Sequence, residues 1–159
     1  KLLYVGRLKV EKGIFALCEL IRNKRDISLT IIGAEKGSSY KINQSNIKIL
    51  PTQNNKTKLI NYYDDHNIFI LPSFTEGHPM VLLESLARRR PVVIFDEIAH
   101  VIGDKKGIFV SKRNYESLLE TINNIKNNYQ KIQEEMKQNN LPTNKEFIKL
   151  MGNIILNLN

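Results

Sequence analysis

The sequence predicts a doubly wound α/β fold, a parallel sheet of about six strands with helices on its faces. Short runs rich in β-branched and aromatic residues recur along the chain, and segments with apolar residues at helical spacing separate most of them. Buried strands joined by helices run parallel with right-handed crossovers, because each helix carries the chain back across the sheet before the next strand begins. At 159 residues, 42% hydrophobic and 25% charged, the chain has the size and balance of one globular domain over residues 1–159. Repeats and low-complexity segments are absent.

Leu2 to Val5 is the first strand, and Glu11 to Arg22 reads as the helix that follows, with Phe15, Ala16, Leu17, Cys18 and Leu20 on its apolar side. Ser28 to Ile32 and Asn46 to Leu50 are the next strands. Between them Gly33-Ala34-Glu35-Lys36-Gly37 reads as a strand-ending turn, with a backbone approach to phosphate as the alternative. Lys56 to Asp64 is helical. Ile68 to Leu71, an apolar run closed by Pro72, is a buried strand, and Pro79, a favoured first helical residue, opens a helix ending at Arg90. Val92 to Phe95 and Ile108 to Ser111 complete the strands. Tyr115 to Gln138 reads as one long helix, since Leu118, Leu119, Ile122, Ile125, Tyr129 and Ile132 recur at its period. After the break at Leu141-Pro142, Asn144 to Leu158 reads as a final helix packed on this domain, with an apolar stripe wider than one sheet face needs.

The 24 Lys and Arg outnumber the 16 Asp and Glu, a formal charge of +8 that suits acidic partners such as nucleotide phosphates or an anionic membrane surface. No basic stripe interleaved with aromatics points to nucleic acid. Cys18 is the single cysteine, so an intrachain disulfide is excluded and a cytoplasmic location is expected, with peripheral attachment at the inner face of the membrane where the positive charge would act. No apolar run is long enough to span a bilayer. His66 and His100 lack partners at metal-ligand spacing and no Asp-x-Asp pattern occurs, so no metal is expected.

Two segments carry chemistry. In Leu2 to Gly13, Arg7 and Lys12 lie at the mouth of the first strand, where open α/β sheets bind ligands; an Arg fork and a Lys point charge suit a pyrophosphate. In Pro72 to Ala87, Glu76 and Glu84 stand eight positions apart across a loop-to-helix junction. Eight residues of helix span roughly 12 Å, so the two acids reach opposite halves of one extended ligand, with helix N–H groups between them suited to an anion. A nucleotide diphosphate-sugar has that shape. The plainer alternative pairs Glu84 with Arg88 at i,i+4 and leaves Glu76 as a favourable charge near a helix start.

Gly6-Arg7-Leu8 followed by Glu11-Lys12-Gly13, and Pro72-Ser73 followed by Glu76-Gly77 and then Glu84, resemble the motifs of glycosyltransferase family 4, the retaining enzymes of the GT-B fold also called group 1 glycosyltransferases. The resemblance is to their C-terminal domain and covers Leu2 to about Ile125. It implies a Rossmann-like half of a GT-B fold that binds a UDP-sugar or GDP-sugar donor without metal or other cofactor. Arg7 and Lys12 would bind and neutralise the diphosphate, with Gly6 beside them in the donor site, and Glu84 would bind the ribose hydroxyls. Glu76, with the backbone after Gly77, would hold the transferred sugar, while His78 would sit beside the diphosphate and Pro79 and Met80 would belong to the same donor site. Arg7, Lys12 and Glu76 are thereby the catalytic candidates. Because the chain opens on a strand at Lys1 with no initiator Met, we expect a fragment, and the resemblance implies an N-terminal acceptor domain of the same enzyme as its partner.

Two departures stand out. Relatives usually show a small residue and Gly before Pro after the second Glu, where this chain has Arg88-Arg89-Arg90-Pro91; their Gly-Gly loop after the next strand is here shortened to Asp96-Glu97-Ile98-Ala99-His100. The expected function is transfer of a hexose-type sugar to a glycan or lipid-linked acceptor, in cell-surface polysaccharide or glycolipid synthesis. Two alternatives stay open: a GT-B sugar-nucleotide epimerase, distinguished by epimerised donor in the absence of acceptor, and a non-catalytic nucleotide or polyanion-binding module, distinguished by equal affinity for unrelated polyanions.

Overall fold

The computed structural model describes residues 1–35, 42, 44–141 and 146. The expected final helix, Glu146 apart, and the Lys36-Gly37 end of the glycine-flanked turn lie outside the described residues. Six strands form one sheet: β1 Leu2–Val5, β2 Leu29–Ala34, β3 Ile47–Pro51, β4 Ile68–Leu71, β5 Val92–Phe95 and β6 Ile108–Ser111. Their order is β3-β2-β1-β4-β5-β6 and every neighbouring pair is parallel. The α-helical elements bounded within the described residues are α1 Ile14–Leu20, α2 Lys56–Asp65, α3 Met80–Ala87, α4 Tyr115–Asn127 and α5 Tyr129–Met136.

Every residue of β4 and β5 is buried, which is why these strands read as unbroken apolar runs and not as alternating ones. The edge strands β3 and β6 are half-exposed and carry Lys48 and Val110 on their open side. Ile14 and Leu17 of α1, Leu82 and Leu86 of α3, and Leu118 and Ile125 of α4 are buried in the core. Each such side chain contributes about 1.5–3 kcal/mol of transfer free energy, which pins its helix face to the core.

Five expectations change in detail. The first helix begins later than Glu11, because Gly13 takes a left-handed φ of 63° and separates a 3₁₀ turn, Val10–Lys12, from α1. Pro79 is the cap of α3 and not its first helical residue. That helix ends at Ala87, where Arg88 caps it and Arg89 turns left-handed at φ 51°. The long helix over Tyr115 to Gln138 breaks at Asn128, whose side-chain amide bonds back to the Asn124 carbonyl at 3.0 Å, competing with helix continuation and letting α5 turn Ile132 and Met136 into the core. Gly33 lies inside β2, since a Cβ there would stand 2.0 Å from the Gly6 carbonyl oxygen; it is a close-approach position between the exits of β1 and β2.

Candidate functional site

The strand order reverses direction between β1 and β4, which pair through Leu2 with Ile68 and Leu3 with Phe69. Chains leaving the carboxyl ends of such neighbours diverge to opposite sides and open a crevice. A cleft of about 300 Å³ lies there, lined by Gly6, Arg7, Lys12, Glu76, His78 and Pro79 among others. Arg7 and Lys12 arrive from the turn after β1, and Glu76 and His78 from the loop after β4.

The two motifs are interlocked residue by residue. The Glu11 carbonyl accepts from the Phe74 amide at 3.0 Å, the Lys12 ammonium meets Glu76 Oε1 at 2.7 Å, and Gly13 packs on Pro72 so closely that a Cβ would stand 1.8 Å from the Pro72 oxygen. Gly13 is required twice over, by its left-handed φ and by this contact. Ser73, fully buried, donates to the same Glu76 Oε1 at 2.7 Å, so that oxygen is held by a cation and a hydroxyl together. The Glu76 side chain is 10% exposed and that of Lys12 24%. The buried Tyr4 hydroxyl donates to the Arg7 carbonyl at 2.8 Å and shapes the turn, and burial raises its pKa well above the ordinary phenol range. Among the described residues Arg7 forms no ion pair, leaving its guanidinium exposed at the cleft. Arg7 and Lys12 against Glu76 leave one net positive charge there.

Met80, 54% exposed, stands at the rim where α3 begins, and no side chain caps that helix start, an arrangement suited to an anion. Gly77 lies in the intervening loop with open space where a side chain would be. Glu84 does not line the cleft. It sits one turn along α3 on the exposed face, because the buried side is supplied by Leu82, Ser85 and Leu86. Its partner is also not Arg88, which bonds Asp64 at 2.9 Å; the buried Tyr63 of α2 donates to Glu84 Oε2 at 2.8 Å. Burial, followed by the Glu84 charge, keeps the Tyr63 phenol protonated.

Arg113, just past β6, escaped the sequence reading. Its guanidinium donates to the carbonyls of Pro72 at 3.0 Å and Ser73 at 3.3 Å and to Glu97 Oε1 at 2.7 Å. The available signal was its place at the carboxyl end of a parallel strand, where ligand-site residues collect. The shortened Asp96 to His100 segment also reaches the site, folding as a 3₁₀ turn whose His100 Nε2 lies 2.7 Å from the Glu76 carbonyl. Among the described residues no group of three or more His, Cys, Asp or Glu is placed to hold a metal ion, and no helix is long and apolar enough to cross a membrane.

The family model for glycosyl transferases group 1 matches residues 1–141. The chain belongs to the group 1 glycosyltransferases. Solved glycosyltransferase structures share its fold: sucrose-phosphate synthase from Thermosynechococcus elongatus has a TM-score of 0.77 at 18% identity, covering 99% of this chain and 45% of that one. A glycosyltransferase from Rickettsia africae matches at 0.73 and 18% over 95% of this chain and 46% of that one. Anabaena HepE, solved in complex with UDP, matches at 0.64 and 15% over 85% and 41%. The chain therefore spans less than half the length of these structures, and its sheet is the Rossmann-like kind found in GT-B glycosyltransferase domains. Comparison with curated protein sequences finds no match.

Proposed function

We propose that this chain is the C-terminal, donor-binding domain of a retaining family 4 glycosyltransferase, which transfers a hexose-type sugar from a UDP-sugar or GDP-sugar to a glycan or lipid-linked acceptor in cell-surface polysaccharide or glycolipid synthesis. The observation that carries this reading is the meeting of Arg7, Lys12 and Glu76 in one cleft at the reversal point of the sheet, in a chain of this family. Cleaving the anomeric C–O bond builds negative charge on the departing diphosphate and positive charge on the sugar. Arg7 and Lys12 answer the first and the Glu76 carboxylate the second. Glu84 takes the ribose with one carboxylate oxygen while Tyr63 holds the other. Glu76 is not assigned as a covalent nucleophile; Lys12 and Ser73 already occupy one of its oxygens, which suits charge stabilisation better than attack.

The donor binds with no metal or organic cofactor in this reading, because two cations take the charge that a divalent ion would otherwise neutralise. The acceptor site belongs to an N-terminal domain outside this chain, a view supported by the share of each solved relative that the chain spans. The enzyme works on the cytoplasmic side, its +8 charge favouring an anionic membrane surface. Calorimetric titration with UDP and GDP in the presence of chelator tests the site. Binding without divalent ion is expected, and Lys12→Ala should weaken it by about 1–3 kcal/mol through loss of a charge-assisted phosphate contact. Binding that appears only when magnesium is added would overturn the metal-free reading.

A further inference from the structure

We infer that Arg113 is a positioning residue that sets the sugar end of the cleft through the Glu76 loop, an inference that rests on the reading of Glu76 as the sugar-holding carboxylate. Pro72 and Ser73 are both buried, and their carbonyl oxygens both accept from the Arg113 fork. A buried carbonyl that loses its donor moves toward another or bears the cost of desolvation, so the path of the loop at these two residues depends on Arg113. The guanidinium is itself held on three sides. Its carbon lies 4.3 Å from the Phe74 ring centroid and 4.2 Å from that of the fully buried Phe95, and Glu97 pairs with its remaining edge. The Arg113 bond holds the Glu97 carboxyl below its ordinary value, so the pair stays charged at neutral pH.

The consequence runs through Ser73. The backbone that Arg113 grips carries the hydroxyl that donates to Glu76 Oε1, and three residues on, His100 of the same 3₁₀ turn as Glu97 meets the Glu76 carbonyl. Arg113 and the Asp96–Val101 turn thus hold the Glu76 loop from behind, while Lys12 faces it from the front. The short turn that replaces a glycine-rich loop becomes, through Glu97, part of the support for the carboxylate. Arg113 does not line the cleft and its guanidinium is committed to Pro72, Ser73 and Glu97, so its effect on the sugar runs through the Glu76 loop.

The test is the ratio of nucleotide-sugar to nucleoside diphosphate affinity, which a general loss of stability would not move. Calorimetry on this chain would compare Arg113→Gln, Arg113→Lys and Glu76→Gln with the parent, using UDP, UDP-glucose, GDP and GDP-mannose as probes. Arg113→Gln should lower the affinity for the bound sugar nucleotide about fivefold relative to its own diphosphate, while diphosphate binding stays within about twofold. Arg113→Lys, which keeps the charge facing Glu97 but not the fork, should fall between. Equal losses for both ligands, or an unchanged ratio in Arg113→Gln when Glu76→Gln shows a selective loss, would overturn the role of Arg113. An unchanged ratio in Glu76→Gln would instead remove the sugar-holding reading of Glu76, and the role of Arg113 would fall with it.

Discussion

Lys12 meets Glu76 as an ion pair at 2.7 Å, whereas Glu84 meets a neutral phenol at 2.8 Å, so the two carboxylates start from different electrostatic positions. Removing charge at Glu76 releases Lys12 toward an incoming diphosphate, and removing it at Glu84 releases nothing. Glu84→Gln should therefore weaken UDP or GDP and the matching nucleotide-sugar by similar factors, because both ligands carry the ribose. Glu76→Gln should leave diphosphate affinity unchanged or slightly higher, while weakening the nucleotide-sugar by about 1 kcal/mol relative to it. Titration of both variants with both ligands checks this pattern. The same loss for every ligand in both variants would dissolve the assignment of one acid to each end of the donor.

The end of α3 shows how an element tolerates a residue unsuited to its place. Arg90 N–H bonds the Ser85 carbonyl at 3.0 Å and Arg89 N–H bonds the Leu86 carbonyl at 2.9 Å, the two bonds of a Schellman cap. The residue just past the helix must then be left-handed, and Arg89 is, at φ 51°. Glycine suits this position better, because a Cβ at a left-handed residue crowds the backbone at a cost of roughly 1 kcal/mol. Neighbours offset part of it, since Arg88 pairs with Asp64, Gln133 donates to the Arg89 carbonyl at 3.0 Å, and Arg90 reaches the Tyr129 hydroxyl at 3.3 Å. Arg89→Gly should raise stability by about 0.5–1 kcal/mol, read as a higher denaturant midpoint at unchanged slope. A lower midpoint would show that the Arg89 side chain contributes more than its backbone strain costs.

For the molecule as a whole, the two-domain proposal gives this chain the donor side of the reaction and leaves the acceptor side to the other domain. The purified chain should bind nucleotide-sugar and show at most slow donor hydrolysis; robust transfer to any acceptor, with contaminating enzyme excluded, would overturn the two-domain proposal. Both the parallel sheet and the cleft lie close to what the sequence predicts, because buried strands and crossover helices write their periods locally and the cations and Glu76 sit at strand exits that the topology brings together. The sequence by itself determined the six strands, the class of sheet and the placing of Arg7, Lys12 and Glu76 at the carboxyl edge of its strands. Tertiary structure alone decided which way Glu84 faces, since α3 turns Leu82 and Leu86 inward and Tyr63 arrives from 21 residues upstream. It also decided the grip of Arg113 on Pro72, across 41 residues, and the fit of Gly13 against the same carbonyl. Periodicity records which face of an element is buried; which distant side chain meets it depends on packing between elements, and no local pattern carries that information.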